Sequence, residues 1–127
     1  MSEAEKSLGY YDGEHVLYGS FEPKPGQRLP VVHFAYVPLT PNQMQEISRE
    51  MEGISARQAS RLSVRILARQ LRRWTLRRPD GTLADCRSSE EIGRCVDNNI
   101  VEAVCEKILS TESVEEAERA LADFPKP

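Results

Sequence analysis

Alternating apolar and polar positions in the first third of the chain predict short β-strands. Residues 10–21 combine aromatic and β-branched side chains around an Asp-Gly turn signal, a pattern typical of a short strand or hairpin. A proline-rich loop follows at residues 22–27, and apolar side chains then alternate over residues 31–37. This second pattern predicts a strand with His33 on its more solvated face. Its other face carries Val32, Phe34 and Tyr36.

The next segments place apolar residues three or four positions apart, which is the spacing of helices that bury one face. A Thr-Pro-Asn-Gln sequence beginning at Thr40 combines a capping box with proline in the first turn, and it predicts a first helix to about Glu52. The expected buried stripe of this helix is Met44, Ile47 and Met51. Ser55 can cap a second helix. Residues 56–71 contain neither glycine nor proline, so this helix is expected to run for four turns or more.

The second predicted helix carries a stripe of arginines. Five of them repeat every four residues and a sixth joins the same side: Arg57, Arg61, Arg65, Arg69, Arg73 and Arg72. On a helical wheel, at about 100° per residue, these side chains span about 160°, and apolar side chains occupy much of the opposite half. Neighbouring like charges oppose a helix by roughly 0.2–0.5 kcal/mol per pair, so an anionic group across the stripe would stabilise it.

The segment after the stripe predicts a strand, a tight turn and a returning strand. Trp74 and Leu76 lie on the same side of such a strand, which makes Trp74 a core anchor. Gly81 suits a turn over residues 79–82, because a positive φ costs glycine little. Residues 83–86 are expected to return as the partner strand.

The last third of the chain predicts further helices. A Ser-Ser-Glu-Glu capping box beginning at Ser88 opens a short helix that buries Ile92. Asp97 or Asn98 starts the next helix, and residues 113–124 also carry apolar residues at helical spacing. The middle helix of these three has the longest apolar stripe, formed by Ile100, Val101, Val104, Cys105, Ile108 and Leu109.

These elements predict an α+β, mostly helical fold. Short N-terminal strands or a hairpin come first, and four to five helices follow with a Trp-x-Leu…Asp-Gly turn between them. We expect residues 1–8 to be a disordered tail, residues 9–124 a single domain and residues 125–127 a second tail. No run of about 18 apolar residues is present and the acidic start lacks the basic region of a signal peptide, so we expect a cytoplasmic protein with no membrane partner.

Charge is segregated along the chain although its total is small. The 127 residues carry 17 basic and 20 acidic side chains, a net charge of −3, which excludes a uniformly basic nucleic-acid binder. Residues 1–56 contribute −4, residues 57–78 contribute +8 and residues 79–127 contribute −7. The functional question therefore concerns one basic segment and what neutralises it.

Three explanations of the basic segment stay open. The acidic C-terminal helices can pack beside it and supply carboxylates. Nucleic-acid phosphates can bind it, although the acidic total and the lack of a known nucleic-acid-binding motif count against this. A protein partner with an acidic surface is the third, because arginine-rich faces suit anchoring.

Few residues outside the basic segment are candidates for catalysis or metal binding. Cys86, Cys95 and Cys105 have eight and nine residues between them, without the Cys-x-x-Cys pairing of a tetrahedral metal site, and we expect reduced, partly buried thiols. The histidines are His15 and His33, and no Gly-rich phosphate loop or His-Glu-x-x-His motif occurs. We therefore expect no catalytic, metal or cofactor site. An enzyme that pairs Cys95 or Cys105 with His33 is the catalytic alternative.

The order of the middle elements carries a family resemblance. A strand ending Tyr-Val-Pro-Leu-Thr leads into a first helix, and a longer second helix runs into a Trp-Thr-Leu-Arg-Arg-Pro-Asp-Gly segment. A Ser-Ser-Glu-Glu cap and further helical stripes follow. In this, residues 31–109 resemble the small, chaperone-like tail-assembly proteins of tailed bacteriophages and prophages. Those proteins typically have acids where Arg77 and Arg78 stand, and residues 9–21 form an aromatic segment of this chain's own.

The resemblance implies a non-enzymatic protein that holds a tail-tube or tape-measure protein soluble until assembly. We predict that the arginine stripe binds this partner or another acidic protein surface, through Arg57, Arg61, Arg65, Arg69, Arg72 and Arg73. The alternative is a small nucleic-acid-associated regulatory protein that uses the Arg-rich helix 57–73, although nucleic acid is not the expected partner.

Overall fold

The computed structural model of the protein describes residues 10–11, 14–110 and 122–124. Within them the fold is α+β and mostly helical, which confirms the predicted class. Its elements are β1 (Tyr10–Tyr11), β2 (Glu14–His15), β3 (Leu17–Phe21), β4 (Val32–Tyr36), α1 (Pro41–Met51), α2 (Ala56–Gln70), β5 (Leu71–Trp74), α3 (Ser89–Cys95) and α4 (Asn98–Leu109). The predicted tails at residues 1–8 and 125–127, and most of the predicted helix at residues 113–124, lie outside the described residues.

Two antiparallel sheets follow the alternating segments of the sequence. The hairpin predicted in residues 10–21 is confirmed by the pairing of β1 with β2, in which Tyr10 lies opposite His15; its Asp-Gly turn lies outside the described residues. The second sheet has the order β3-β4-β5, and one row across it joins Gly19, Phe34 and Trp74. Substitution of Gly19 by any larger residue would disturb this packing, because a Cβ there would lie 2.7 Å from Cζ of Phe34.

The core lies between this sheet and helices α2, α3 and α4. Val32, Phe34 and Tyr36 are fully buried, as their alternation predicts, and Trp74 is buried as the expected anchor. The indole Nε1 of Trp74 donates to the carbonyl of Ala84 at 2.8 Å, so its polar atom is also satisfied. In α4 the predicted stripe is confirmed, since five residues are buried and Leu109 packs against them: Ile100, Val101, Val104, Cys105 and Ile108.

His33 lies on the more solvated face of β4, as predicted, because the residues of the other face are fully buried. Ala35 is buried and His33 is only partly exposed. Phe124, from the end of the chain, lies beside this face, with its ring centroid 6.4 Å from that of His33 and 5.2 Å from that of Tyr18. A distant aromatic residue therefore covers part of the more solvated face of this strand.

The prediction that the arginine stripe continues on a helix to residue 73 is wrong. Helix α2 ends at Gln70, so Arg72 and Arg73 lie on β5. Gln70 is 2% exposed and its side-chain Nε2 donates to the carbonyl of Val37 at 2.8 Å, while the backbone N–H of Val37 donates to the carbonyl of Gln70 at 2.8 Å. These contacts with the end of β4 turn the chain into the sheet without a glycine or proline.

The first helix begins as predicted but buries less than expected. Thr40 and Gln43 form the full capping box. Of the expected stripe only Ile47 is buried, because Met44 is 37% exposed and Met51 is 53% exposed. The prediction that all three face the core is wrong, since α1 contributes to the core through one turn only.

Two local predictions farther along are also corrected. Residues 83–86 form no strand; Leu83 makes only an isolated bridge to Arg77, after a turn in which Gly81 has a φ of 90°. Asp85 redirects the chain by accepting the backbone N–H of Arg87 at 2.9 Å. Ser88 caps α3, but the reciprocal half of its capping box is not made, because the carboxylate of Glu91 binds Arg78 instead.

Candidate partner-binding surface

Helix α2 presents a basic face to solvent because its apolar side is packed on the core. Its capping box sets where the helix begins. Ser55 and Gln58 form a complete capping box, and the buried side docks on the core through Leu62, Ile66, Leu67 and Gln70. Four arginines remain exposed along the other side: Arg57, Arg61, Arg65 and Arg69. We call these four residues the arginine face. Their spacing of four residues places successive arginine Cα atoms about 6 Å apart along the axis.

The structure does not bring the last two predicted arginines to this face. The guanidinium of Arg72 donates to the carbonyl of Arg69 at 2.8 Å and to that of Leu71 at 3.1 Å, so it caps the carboxyl end of α2, where a cation is favourable. The guanidinium of Arg73 lies over the ring of Phe124, 5.0 Å from its centroid.

One carboxylate from α1 reaches the arginine face. Arg65 donates to the carboxylate of Glu50, and the two side chains are 62% and 47% exposed. Arg69 donates through Nε to the side-chain oxygen of Gln70 at 3.1 Å. Within the described residues neither Arg57 nor Arg61 forms an ion pair or a side-chain hydrogen bond.

A groove runs between α1 and α2, and the ion pair of Arg65 with Glu50 crosses it. On one side of the pair lies a cavity of about 360 Å³ whose walls include Ile47, Ile66 and Arg69. On the other side lies a cavity of about 380 Å³ whose walls include Ile54 and Arg61. Leu62 lines both cavities. The arginine face thus borders an apolar groove.

The acidic C-terminal segment neutralises a different part of the basic segment. Arg78 makes two hydrogen bonds to the carboxylate of Glu91 in α3, at 2.7 and 3.0 Å. This contact raises the pKa of Arg78 and lowers that of Glu91. In the part of the chain that the structure describes, the C-terminal helices reach Arg78 but place no carboxylate on the arginine face.

The cysteines occupy two kinds of environment. Cys86 and Cys105 are buried, and burial raises the pKa of Cys86 to about 11 and also raises that of Cys105. Cys95 is exposed and borders a separate groove of about 880 Å³ beside the turn at residues 77–80. The expectation of partly buried thiols therefore holds for Cys86 and Cys105 but not for Cys95.

Neither a metal centre nor a membrane-spanning helix is found in the described ranges. No group of three or more histidine, cysteine or acidic side chains there is arranged to hold a metal ion. No helix there has the length and apolar character needed to cross a bilayer.

Sequence reasoning missed the two residues that adjust this surface. Glu50 lies in a polar run of α1, and only its position opposite Arg65, 15 residues later, gives it a role. Phe124 has no local feature that connects it with Arg73.

Comparisons with family models, with curated proteins and with solved structures find no match for this chain.

Proposed function

We propose that this protein is a non-enzymatic assembly factor of the phage-tail type, which binds a tail-tube or tape-measure-like protein through its arginine face. The observation that carries the proposal is the arginine face itself, where four exposed guanidinium groups meet one carboxylate within the described residues. Guanidinium groups bind carboxylates with two parallel hydrogen bonds, and arginine is enriched at protein interfaces. In this role the protein acts in the cytoplasm, before the tail is assembled.

A protein partner accounts for the surroundings of the face better than nucleic acid does. Glu46 and Glu50 lie along the other side of the same groove, where they would repel a phosphate backbone. The apolar floor formed by Ile47, Leu62 and Ile66 also favours side chains from a protein partner over phosphates.

Co-expression with the products of the flanking genes tests this proposal. We expect a tail-tube or tape-measure protein among them to stay soluble and to co-purify with the wild-type chain. The double variant Arg57→Glu with Arg61→Glu should lose this partner, and its fold should persist because these side chains make no ion pair within the described residues.

The matched control is Arg28→Glu with Arg87→Glu, which changes the net charge equally at two exposed arginines away from α2. It should retain the partner. Equal capture by both double variants would contradict the proposal. Retention of duplex DNA that falls steeply with salt would favour the nucleic-acid alternative instead.

A further inference from the structure

We infer that the groove between α1 and α2 receives an amphipathic helix of the partner, with carboxylates along one flank of an apolar seam. This inference rests on the proposed function and specifies the partner's chemistry. It starts from the two cavities of about 360 and 380 Å³, which lie in line along the groove and share Leu62 as part of their walls. Each has the size of a small ligand pocket, which runs from roughly 300 to 1,000 Å³.

The two rims of the groove carry opposite charge. Arg61, Arg65 and Arg69 line the α2 side, and Glu46 and Glu50 line the α1 side. A partner helix that lies along the groove therefore needs acids on the flank facing α2 and neutral or basic residues on the flank facing α1. Carboxylates spaced four residues apart on the partner would match the arginines step for step, since both helices rise 1.5 Å per residue.

In the free protein, the carboxylate of Glu50 occupies the position on Arg65 where a carboxylate of the partner would bind. Both side chains are about half exposed, at 62% and 47%, so water screens their attraction and the pair is weak. A carboxylate of the partner can replace Glu50 on Arg65 and join the two cavities into one continuous groove. Glu50 thus competes with the partner for Arg65.

Synthetic helical peptides test the inference directly on the full-length protein. The probe peptide, about four turns long, has a leucine seam and a glutamate at every fourth position on one flank, with uncharged glutamines on the other, so that Glu50 attracts no group of the peptide. A second peptide of identical composition carries its charges scrambled between the flanks. We expect the first to bind at least about tenfold more tightly than the second in fluorescence anisotropy.

Three protein variants distinguish the groove from general attraction between charges. Arg61→Glu should weaken binding of the probe peptide at least about tenfold, whereas Arg28→Glu should leave it unchanged within about twofold. Glu50→Gln should tighten binding by about two- to fivefold, because it removes the competing carboxylate. Far-ultraviolet circular dichroism checks that each variant is folded.

Equal binding of the two peptides, or weaker binding by Glu50→Gln, would overturn the inference. Competition by duplex DNA at the salt concentration of the assay would overturn it as well. Capture of a tail protein without discrimination between the peptides would leave the proposed function standing and reject the groove. Discrimination between the peptides without capture of any tail protein would reject the function and keep the groove.

Discussion

Arg65 of α2 donates a hydrogen bond to the carboxylate of Glu50 on α1, and this contact joins the two helices across the groove between them. The contact links residues 15 positions apart and lies at the surface. It shows that the chain supplies part of the counter-charge of its arginine face from the helix before it. Among the residues that the structure describes, no other carboxylate forms an ion pair with that face.

Removing this ion pair is expected to cost little stability. Glu50→Gln should lower the free energy of unfolding by no more than about 1 kcal/mol, because exposed pairs contribute about 0–1 kcal/mol. Urea denaturation measures the change, and Glu46→Gln is the matched control, since Glu46 is equally acidic, lies one turn earlier and forms no ion pair within the described residues. A loss of about 3 kcal/mol for Glu50→Gln alone would mean that the pair holds α1 in place.

The close approach of Phe34 to Gly19 predicts a sensitive position on β3. Gly19→Val should destabilise the fold by about 1–3 kcal/mol or more, because its Cβ would lie 2.7 Å from Cζ of Phe34 and 3.3 Å from Cγ of Lys107. Ser20→Val, on the exposed face of the same strand, should change stability by about 0.5 kcal/mol at most. Thermal or urea unfolding compares them, and equal effects would be inconsistent with the packing described.

The cysteines are expected to react at very different rates. In the native protein a thiol reagent at pH 8 should modify Cys95 quickly, while Cys86 and Cys105 react only after denaturant is added, because both are buried and burial raises their pKa values. Counting the modified thiols by absorbance measures this, and Cys95→Ser should abolish the fast phase. Rapid reaction of all three thiols in the native state would contradict the burial.

Cys86 also predicts how stability changes at alkaline pH. Its pKa is about 11 in the folded protein against a usual value of 9.0, so the unfolded chain loses this proton first. The free energy of unfolding should therefore be unaffected by this group below about pH 9 and should fall as the pH rises toward 11. Urea titrations at several pH values test the trend, and Cys86→Ala should flatten it. A rise in stability over this interval would have the wrong sign.

The paired hydrogen bonds between Arg78 and Glu91 predict a change that spectroscopy can follow. Arg78→Ala should raise the pKa of Glu91 back toward its usual value of 4.5, because the hydrogen bonds from Arg78 are the largest cause of its lowering. Titration of the Glu91 carboxyl by nuclear magnetic resonance measures this. Arg94→Ala, which removes the partner of Glu90 instead, should leave Glu91 unmoved; a shift in that variant would assign the lowering to another cause.

Local signals in the sequence were sufficient for most of the elements. The capping boxes at Thr40 and Ser55 place the starts of α1 and α2, because they depend on residues only three positions apart. The buried stripe of α4 follows from helical spacing alone. The burial of Trp74 follows from its size and its position in an alternating segment.

Contacts between distant residues decide what the sequence did not predict. Helix α2 ends at Gln70 because that side chain reaches Val37, 33 positions earlier. Arg73 does not join the arginine face because the chain turns into β5, where its guanidinium lies over the ring of Phe124. Met44 has the spacing of a core residue, yet it is exposed because α1 makes few contacts with the other described elements. In each case the spacing is locally correct and the tertiary partner determines the outcome.

The affinity of a purified tail-tube or tape-measure partner for the arginine face is the most direct test of the account. Isothermal titration calorimetry should show at least about tenfold weaker binding for Arg57→Glu with Arg61→Glu than for the wild type. The control Arg28→Glu with Arg87→Glu should bind within about twofold of the wild type. Equal affinity of the two double variants for the partner would contradict a functional role for the arginine face.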